Sequence, residues 1–448
     1  MSFTSSSAPG PRRRTPSGLW RDRDFRSLWI GQTASQLGEH STLLVLPLFA
    51  VLTLDAGVGE LGVLRAVGQA PILLLSLFVG AWVDRWRART VMVLTDAGRA
   101  LTLGAAVAAG LFGLLGLPVL LVVAFAVGTL SVFFDVAYQA SLVRLVKRDQ
   151  LVRGNSALEG SRSAAQIGGP ALGGTLVSLL SAPAAAATGA LFFALSFLSI
   201  RRIRRTESFP ERSEPSERTE VSERTERTER PPRIRGRIHE GVRFVAADSS
   251  LRTVCLASAA FQLSLAAVMT VYLLFLPREL HLSGTAVGLS LAATGPGALV
   301  GAVLAARLPA RFGHGAVLVS AAALGDSVFL CVPALHGSSA VTVSVLVAVN
   351  FVFGAGGQLV NVTVMAVRQA VTPDGMQARA AATITFVGMG LTPLGSLLGG
   401  FLAQEWGLRT GLLLSATGML LSPALMALSP LARLGRELPP RADHATAL

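Results

Sequence analysis

Long apolar runs alternate with short polar stretches along the whole chain. The runs are about 20 residues each, which is long enough for an α-helix to cross a hydrocarbon core of roughly 30 Å. By hydropathy we count about twelve of them. They cover approximately residues 28–52, 60–82, 90–113, 117–140, 160–181 and 184–200, then 252–277, 285–308, 315–335, 340–364, 380–403 and 409–430. The pattern predicts an all-α integral membrane protein with twelve transmembrane helices.

Composition and charge agree with a membrane protein. Hydrophobic residues make up 51% of the chain and charged residues 15%, whereas a soluble domain has roughly 25% charged residues. In a soluble protein the net charge of +13 would suggest a nucleic-acid partner. Here the arginines instead flank alternate ends of the apolar runs, so we expect a lipid bilayer and no nucleic acid. Positively charged loops stay in the cytoplasm, which predicts that both termini are cytoplasmic.

Two apolar halves are separated by a charged tract that is poor in apolar residues and cannot form a core. We expect a flexible cytoplasmic linker there, ending in a short amphipathic helix over residues 239–248, and a regulatory docking site in the tract is a minor alternative. The predicted divisions are a cytoplasmic tail with an interfacial helix (1–26), a six-helix bundle (27–200), the linker (201–250), a second six-helix bundle (251–430) and a cytoplasmic tail (431–448).

An internal repeat supports this division. When the chain is shifted by 226 residues, loop arginines and helix glycines coincide without a gap. The coinciding pairs include Arg26 and Arg252, Gln36 and Gln262, Gly62 and Gly288, Arg85 and Arg311, Gly128 and Gly354, Arg153 and Arg379, Gly169 and Gly395, and Gly173-Gly174 and Gly399-Gly400. Parallel repeats of this kind are typical of two-half transporters with the substrate path between the halves.

The polar loop after the second run reads G-A-W-V-D-R-W-R-A-R from residue 80 to residue 89. It resembles the signature loop of the major facilitator superfamily, G-x-x-x-D-R-x-G-R-R/K. The matching residues are Gly80, Asp84, Arg85 and Arg89. Arg87 stands at the glycine position and Ala88 at an arginine position. The resemblance implies two pseudo-symmetric bundles of six helices. It also implies a cluster of Asp84, Arg89 and Asp135, on the fourth run, that holds the cytoplasmic side closed.

A second motif, Gly169-Pro170-Ala-Leu-Gly173-Gly174, lies in the fifth run. It resembles the antiporter signature of the same superfamily, G-P-x-x-G-G, which is associated with exporters. Proline bends a helix and glycines allow close helix packing, so the motif can seal one end of a path; ordinary small-residue packing is the alternative. The segment 145–174 and the start D-F-R-x-L-x-x-G at residue 24 look like the bacterial drug and metabolite exporters of the enterobactin and macrolide types. This resemblance implies a location in the bacterial inner membrane.

Charged residues inside apolar runs are expensive and mark candidate functional sites. Glu39, in the first run, is the best candidate for a group that binds and releases protons, and Arg65, in the second run, is its candidate partner. Proton coupling by Glu39 and a permanent Glu39–Arg65 pair remain equal alternatives. Asp96 and Arg99, three residues apart, are expected to pair with each other. No role is assigned to Asp326.

These residues predict a proton-coupled antiporter that exports a hydrophobic drug, antibiotic or metabolite by alternating access. We expect a monomer whose partners are a small lipophilic substrate and protons, with the proton gradient as energy source and no cofactor, metal or enzymatic activity. Uptake or passive passage of a small polar solute, or a membrane scaffold or sensor, are the alternatives. The candidate aromatic residues of the path are Phe49, Phe133, Phe134, Tyr138, Phe261, Tyr272, Phe351 and Phe353, although core or lipid-facing positions are expected for most of them.

Overall fold

The computed structural model describes residues 19–83, 86–145, 151–179, 182–203, 234–373 and 376–436, and these ranges are helical, without a strand. The first half contains α1 (Arg23–Thr53), α2 (Val58–Val83), α3 (Ala88–Leu111), α4 (Leu117–Leu145), α5 (Leu151–Leu179) and α6 (Ala182–Arg201). The second half contains α7 (Ile234–Ala247), α8 (Ser249–Arg278), α9 (Gly284–Ala292), α10 (Thr294–Ala305), α11 (Leu308–Phe312), α12 (His314–Ser327), α13 (Ala340–Val371), α14 (Gln377–Gly390), α15 (Thr392–Met419) and α16 (Leu421–Ala427). Short 3₁₀ helices cover Leu19–Arg21, Val328–Ala334 and Pro430–Arg433.

The predicted all-α membrane fold is confirmed. Nine stretches within the described residues are long and apolar enough to cross a membrane. Helices α1 and α5, with 31 and 29 residues, are also long enough, but they are more polar. The last of the nine stretches, Arg379–Ala427, has 49 residues and contains a turn at Gly407, whose φ of 81° suits glycine. Counting α1, α5 and two passes in this last stretch gives the twelve passes expected.

The two halves repeat the same packing. In the first half α1 packs against α5 and α6, α2 against α4, and α3 against α4 and α6. In the second half α8 packs against α14 and α15, α10 against α13, and α12 against α13 and α16. Individual contacts repeat as well: Gly128 lies against the carbonyl group of Gly68, and Gly354 lies against that of Thr294. Each residue of the second pair is 226 positions after its counterpart, so the repeat found in the sequence is a structural one.

The halves meet at two helix crossings, α2 with α15 and α5 with α9. Gly62 contacts Gly400 in the first crossing, and Gly174 contacts Gly288 in the second. Both crossings lie toward the end of the molecule that carries the loops 54–57 and 279–283, which we call the closed face. An ion pair between Arg278 and Asp55 also joins the halves there.

The segment before the second bundle differs in extent from the sequence prediction. The amphipathic helix begins at Ile234, five residues before the predicted start, and Glu240 forms an ion pair with Arg379 of α14 at 2.7 Å. Residues 204–233 of the predicted linker lie outside the described residues, so the flexibility of the linker stays a prediction.

The segment predicted to form an interfacial helix contains the 3₁₀ helix Leu19–Arg21 and the first residues of α1, and its position at the membrane interface stays a prediction. Asp22 caps α1, since its side chain accepts a hydrogen bond of 2.9 Å from the backbone N–H of Asp24. The helix then continues from Arg23 into the first membrane pass. A capped start followed by unbroken backbone hydrogen bonding makes the residues from Arg23 onward the first turns of α1.

Candidate functional site

A cavity of about 300 Å³ lies between the two halves, bounded mainly by α1, α2 and α4 of the first half and by α8, α14 and α15 of the second. Its wall includes three of the charged residues found in the sequence, Glu39, Arg65 and Asp135. Its other polar lining residues are Thr42, Gln69, Ser131, Gln262 and Thr392. None of the eight candidate aromatic residues lines this cavity. Tyr272, for example, is fully buried in the core of the second half.

A fully buried arginine lies behind the cavity wall. Arg99 of α3 has no exposed side-chain surface and forms an ion pair with Asp96, as the spacing of the two residues predicted. Its Nη2 atom also donates a hydrogen bond of 2.8 Å to Ser35 Oγ of α1. The hydroxyl groups of Ser35 and Ser196 both donate to the Asp96 carboxylate. The Asp96 side chain is thus supplied with hydrogen bonds from α1, α3 and α6, as a buried carboxylate requires.

Aromatic rings complete the surroundings of Arg99. The guanidinium carbon lies 4.4 Å from the ring centroid of Phe134 and 4.4 Å from that of Phe193. A cation between two ring faces is stabilised by their quadrupoles, the more so where water is excluded. Phe134 was one of the candidate aromatic residues of the sequence analysis, whereas Phe193 was not singled out there. Together the two rings hold Arg99 in a fixed position.

Arg99 is also the ion-pair partner of Glu39. Its Nη1 atom lies 3.7 Å from Glu39 Oε2, and the Glu39 side chain keeps 22% of its surface exposed. The Oε2 atom accepts no hydrogen bond from any described residue. Glu39 and Arg65 line the same cavity but are not within ion-pairing distance, so the structure shows Arg99, not Arg65, in the partner position.

Asp135 lies on the same cavity wall and, like Glu39, interacts electrostatically with both Arg99 and Arg162. The proposed cluster of Asp135 with the signature loop stays a prediction, because Asp84 and Arg85 lie outside the described residues. Of the other loop residues, Gly80 lies within the last turn of α2. Arg89 donates a hydrogen bond of 2.6 Å to the carbonyl oxygen of Arg201, at the end of α6.

The glycine motif of α5 packs directly onto the helix that carries Glu39. Gly169 lies against the backbone of Ser41, and the Ser41 hydroxyl donates a hydrogen bond of 3.2 Å to the Gly169 carbonyl oxygen. Gly173 lies against Ser41 as well. Pro170 is inside α5 and removes one backbone N–H from the helix.

The last glycine of the motif points to the other half. A methyl group on Gly174 would collide with the backbone of Gly284 and Gly288 at the start of α9. The motif therefore places one surface of α5 against α1 and another against the second half. The sequence predicted close packing at these glycines, but the identity of both partner helices comes from the structure.

Comparison with known families agrees with this architecture. The family model described as "Transmembrane secretion effector" matches residues 15–446. The chain belongs to this family. Its members are of the major facilitator type, so the protein is a multi-pass membrane transporter of that superfamily.

Solved structures of other transporters have the same fold. A bacterial homologue of the human lysosomal transporter Spinster, in an inward-facing and unoccupied conformation, is 13% identical with a TM-score of 0.69, covering 93% of this chain and 98% of that one. The nucleoside transporter NupG is 13% identical with a TM-score of 0.70, and the match covers 90% and 98% of the two chains. A bacterial homologue of the iron transporter ferroportin, also inward-facing, is 16% identical with a TM-score of 0.69 and coverage of 90% and 98%.

At these identities the neighbours establish the fold of this secretion effector family member and not its substrate. The family and the neighbours are transporters and not enzymes. No curated protein matches the chain.

Proposed function

We propose that this transporter exports a lipophilic solute in exchange for protons by alternating access, with Glu39 as the group that binds and releases the proton. The observation that carries the proposal is the position of Glu39. Its carboxylate lies on the wall of the cavity between the halves and 3.7 Å from the fully buried Arg99.

The two carboxylates beside Arg99 are held differently. Asp96 has no exposed surface and accepts hydrogen bonds from two serine hydroxyl groups in addition to its ion pair. Glu39 has a longer ion pair, one oxygen without a hydrogen-bond donor, and access to the cavity. Protonation neutralises a carboxylate and ends its attraction to the cation. Glu39 is therefore the carboxylate that can exchange a proton with the cavity while Asp96 holds Arg99 in place.

The contacts of α1 provide a route from this proton to the movement of the halves. Glu39 is two residues from Ser41, which is hydrogen bonded to Gly169 of α5. Helix α5 in turn crosses α9 of the second half at Gly174 and Gly288. A change in the position of α1 on protonation acts on a crossing that holds the closed face together, which is the kind of bistable interface that alternating access needs.

The distribution of arginines supports the orientation of the protein in the membrane. Positively charged loops are cytoplasmic, which places the closed face outside and gives this structure an inward-facing conformation. The exporter assignment is supported further by the glycine motif of α5. The lining of the cavity, which includes Leu43, Leu46, Leu64, Ile72 and Met389, supports a lipophilic substrate.

Everted membrane vesicles test the proposal with a panel of anionic, neutral and cationic lipophilic dyes. An inside-acid gradient is expected to drive accumulation of at least one dye by the wild-type protein. The Glu39→Gln variant is expected to lose this accumulation and to keep exchange of the dye down its own gradient. Glu405→Gln, the same substitution at an exposed residue, is the control and is expected to behave like the wild-type protein.

Two results would contradict the proposal. Accumulation by Glu39→Gln that equals the wild-type level would remove Glu39 from proton coupling. Dye movement out of the everted vesicles, in the direction of uptake into a cell, would reverse the assigned direction of transport.

A further inference from the structure

Arg65 is a charged residue of the cavity wall that forms no ion pair with any described residue. Arg65 of α2 lines the cavity and is partly buried. Its Nε atom is fully buried and has no hydrogen-bond partner among the described residues. The ion pairs of the described residues do not include Arg65 either, which sets it apart from Arg99 on the neighbouring helix.

The acids of the cavity do not serve as its counter-charge. Among the described residues Glu39 forms its ion pair with Arg99, and neither Glu39 nor Asp135 forms an ion pair with Arg65. Helix geometry explains this separation. At 1.5 Å per residue, Arg65 lies roughly 10 Å along α2 from the closed face, while Glu39 and Asp135 lie roughly 21 Å and 27 Å from it along their own helices. The cation is at one end of the cavity and the acids are at the other.

An arginine inside the membrane region needs an anionic or hydrogen-bonding partner, because an isolated guanidinium in low-polarity surroundings is costly. The protein supplies aliphatic neighbours, among them Leu46, Leu64 and Met389 on the cavity wall, and the small residue Gly68 one turn away from Arg65. The cavity wall thus presents one guanidinium group among aliphatic and neutral polar side chains. The planar array of N–H donors in this group matches the geometry of carboxylate, sulfonate and phosphate oxygens.

We propose that Arg65 binds the anionic group of the transported solute, so that the substrate of this cavity is a lipophilic anion. The apolar wall takes the body of the molecule, and the guanidinium takes its carboxylate, sulfonate or phosphate. This inference rests on the proposed role of the cavity in carrying a lipophilic solute and adds the charge of that solute. The acids at the other end of the cavity remain available for the proton.

Two probes that differ by one anionic group test the inference. 8-Anilinonaphthalene-1-sulfonate and N-phenyl-1-naphthylamine share the same aromatic body, and only the first carries a sulfonate. Saturable binding of both is measured by fluorescence on purified protein in nanodiscs of phosphatidylcholine. We expect the wild-type protein to bind the sulfonate at least tenfold more tightly than the amine, the size of effect that a charge-assisted hydrogen bond gives.

Three variants separate recognition from folding. Arg65→Gln is expected to weaken binding of the sulfonate at least tenfold and to leave binding of the neutral amine within twofold. Arg65→Lys keeps the charge, and it is expected to retain most of the preference for the sulfonate. Arg307→Gln removes an exposed arginine at the end of α10 and is expected to change neither affinity. A melting curve for each variant identifies any loss of folding. If Arg65→Gln does not fold, the inference is decided by whether Arg65→Lys retains the preference for the sulfonate.

A lipid headgroup and a dissolved solute offer the same anionic chemistry, and a second lipid composition distinguishes them. If phosphatidylglycerol in the nanodisc displaces the sulfonate probe from the wild-type protein and from Arg65→Lys but does not change the residual binding to Arg65→Gln, the anion at Arg65 comes from a lipid. If phosphatidylglycerol does not compete, it comes from a free solute. Both outcomes support an anionic ligand at Arg65.

Equal weakening of the two probes by Arg65→Gln would overturn the inference and leave Arg65 a structural residue. Unchanged binding of the sulfonate, or no preference for it in the wild-type protein, would overturn it as well. These measurements use no proton gradient, so their failure is distinguishable from a failure of the proposed proton coupling.

Discussion

The two halves of this transporter have the same helix packing but different interiors. The first half buries acids and arginines between its helices, while the corresponding positions of the second half are neutral. At a shift of 226 residues, Glu39, Arg65, Asp96, Arg99 and Asp135 correspond to Leu265, Leu291, Ala322, Gly325 and Asn361. Since the second half reaches the same architecture without these charges, the six-helix bundle does not need them. Buried charges that the fold does not require are candidates for function.

The second half shows what a purely structural polar contact looks like. Asn350 donates a hydrogen bond of 2.8 Å to the hydroxyl group of Tyr272, and both side chains are buried. Neither group carries a charge, and neither lies on the wall of the central cavity. The contrast supports the proposal that the groups that change charge lie in the first half.

The largest expected effect concerns the buried arginine. In Arg99→Met, the fully buried Asp96 loses its cation, and we expect the free energy of unfolding to fall by about 3–5 kcal/mol. Melting curves in detergent measure this change. The double variant Asp96→Asn with Arg99→Met removes both charges and is expected to recover part of the lost stability.

Transport by the double variant sharpens the comparison of the halves. We expect the variant to fold and to lose proton-driven accumulation, because the partner of Glu39 is gone. If it instead transports like the wild-type protein, the charges of the first half are only structural, and the contrast with the second half loses its functional meaning.

An intermediate effect is expected at the crossing of α5 and α9. In Gly174→Val the new side chain collides with the backbone of Gly284 and Gly288, so the closed face is expected to open and transport to fall at least tenfold. Accessibility of an introduced cysteine near residue 55 to a membrane-impermeant maleimide measures the opening. Gly104→Ala is the control, since a methyl group there meets no atom within 4 Å.

The pseudo-symmetric crossing extends this test. Gly400 packs against Gly62 as Gly174 packs against Gly288, and Gly400→Val is expected to have a similar effect. A defect confined to Gly174→Val would show that the two crossings are not equivalent, despite their matching positions.

The smallest effect is expected at Asp326, the buried acid of α12. Its Oδ2 atom has no hydrogen-bond partner within the described part of the chain, and it does not line the central cavity. Asp326→Asn removes a carboxyl group that forms no ion pair with any described residue, so we expect proton-driven transport to stay within twofold of the wild-type rate and the melting temperature not to fall. Transport assays in everted vesicles and melting curves check both. Loss of proton coupling in this variant would place a second proton-binding group in the second half and would contradict the division of roles.

Several features of the site were readable from the sequence because they depend on local chemistry. The Asp96–Arg99 pair follows from the spacing of three residues on one helix, which brings the side chains together. The close packing at Gly173 and Gly174 follows from residue size. Glu39 stood out because a carboxyl group within an apolar run is rare.

The partners of these residues were not readable in the same way. Glu39 and Arg99 are 60 positions apart, and the sequence analysis named Arg65 as the candidate partner of Glu39 while it paired Arg99 with Asp96 alone. The choice depends on the rotation of α1 and α3 about their axes, which many weak packing contacts decide together, including those of Phe134 and Phe193 around Arg99. The sequence analysis failed to identify the lining of the cavity for the same reason. The presence of an aromatic residue in a membrane helix does not show which way its side chain faces.

The sequence alone determined that this chain crosses a membrane about twelve times, that it consists of two related halves, and which charged residues lie within the apolar runs. These properties follow from hydropathy and spacing, which act over one or a few helical turns. The tertiary structure decided that Arg99 stands between Asp96 and Glu39, that Gly174 meets Gly288 across the halves, and that Arg65 lines the cavity without an ion pair to any described residue. Such relations join residues tens to hundreds of positions apart, and they exist only when the helices are packed at fixed rotations and depths.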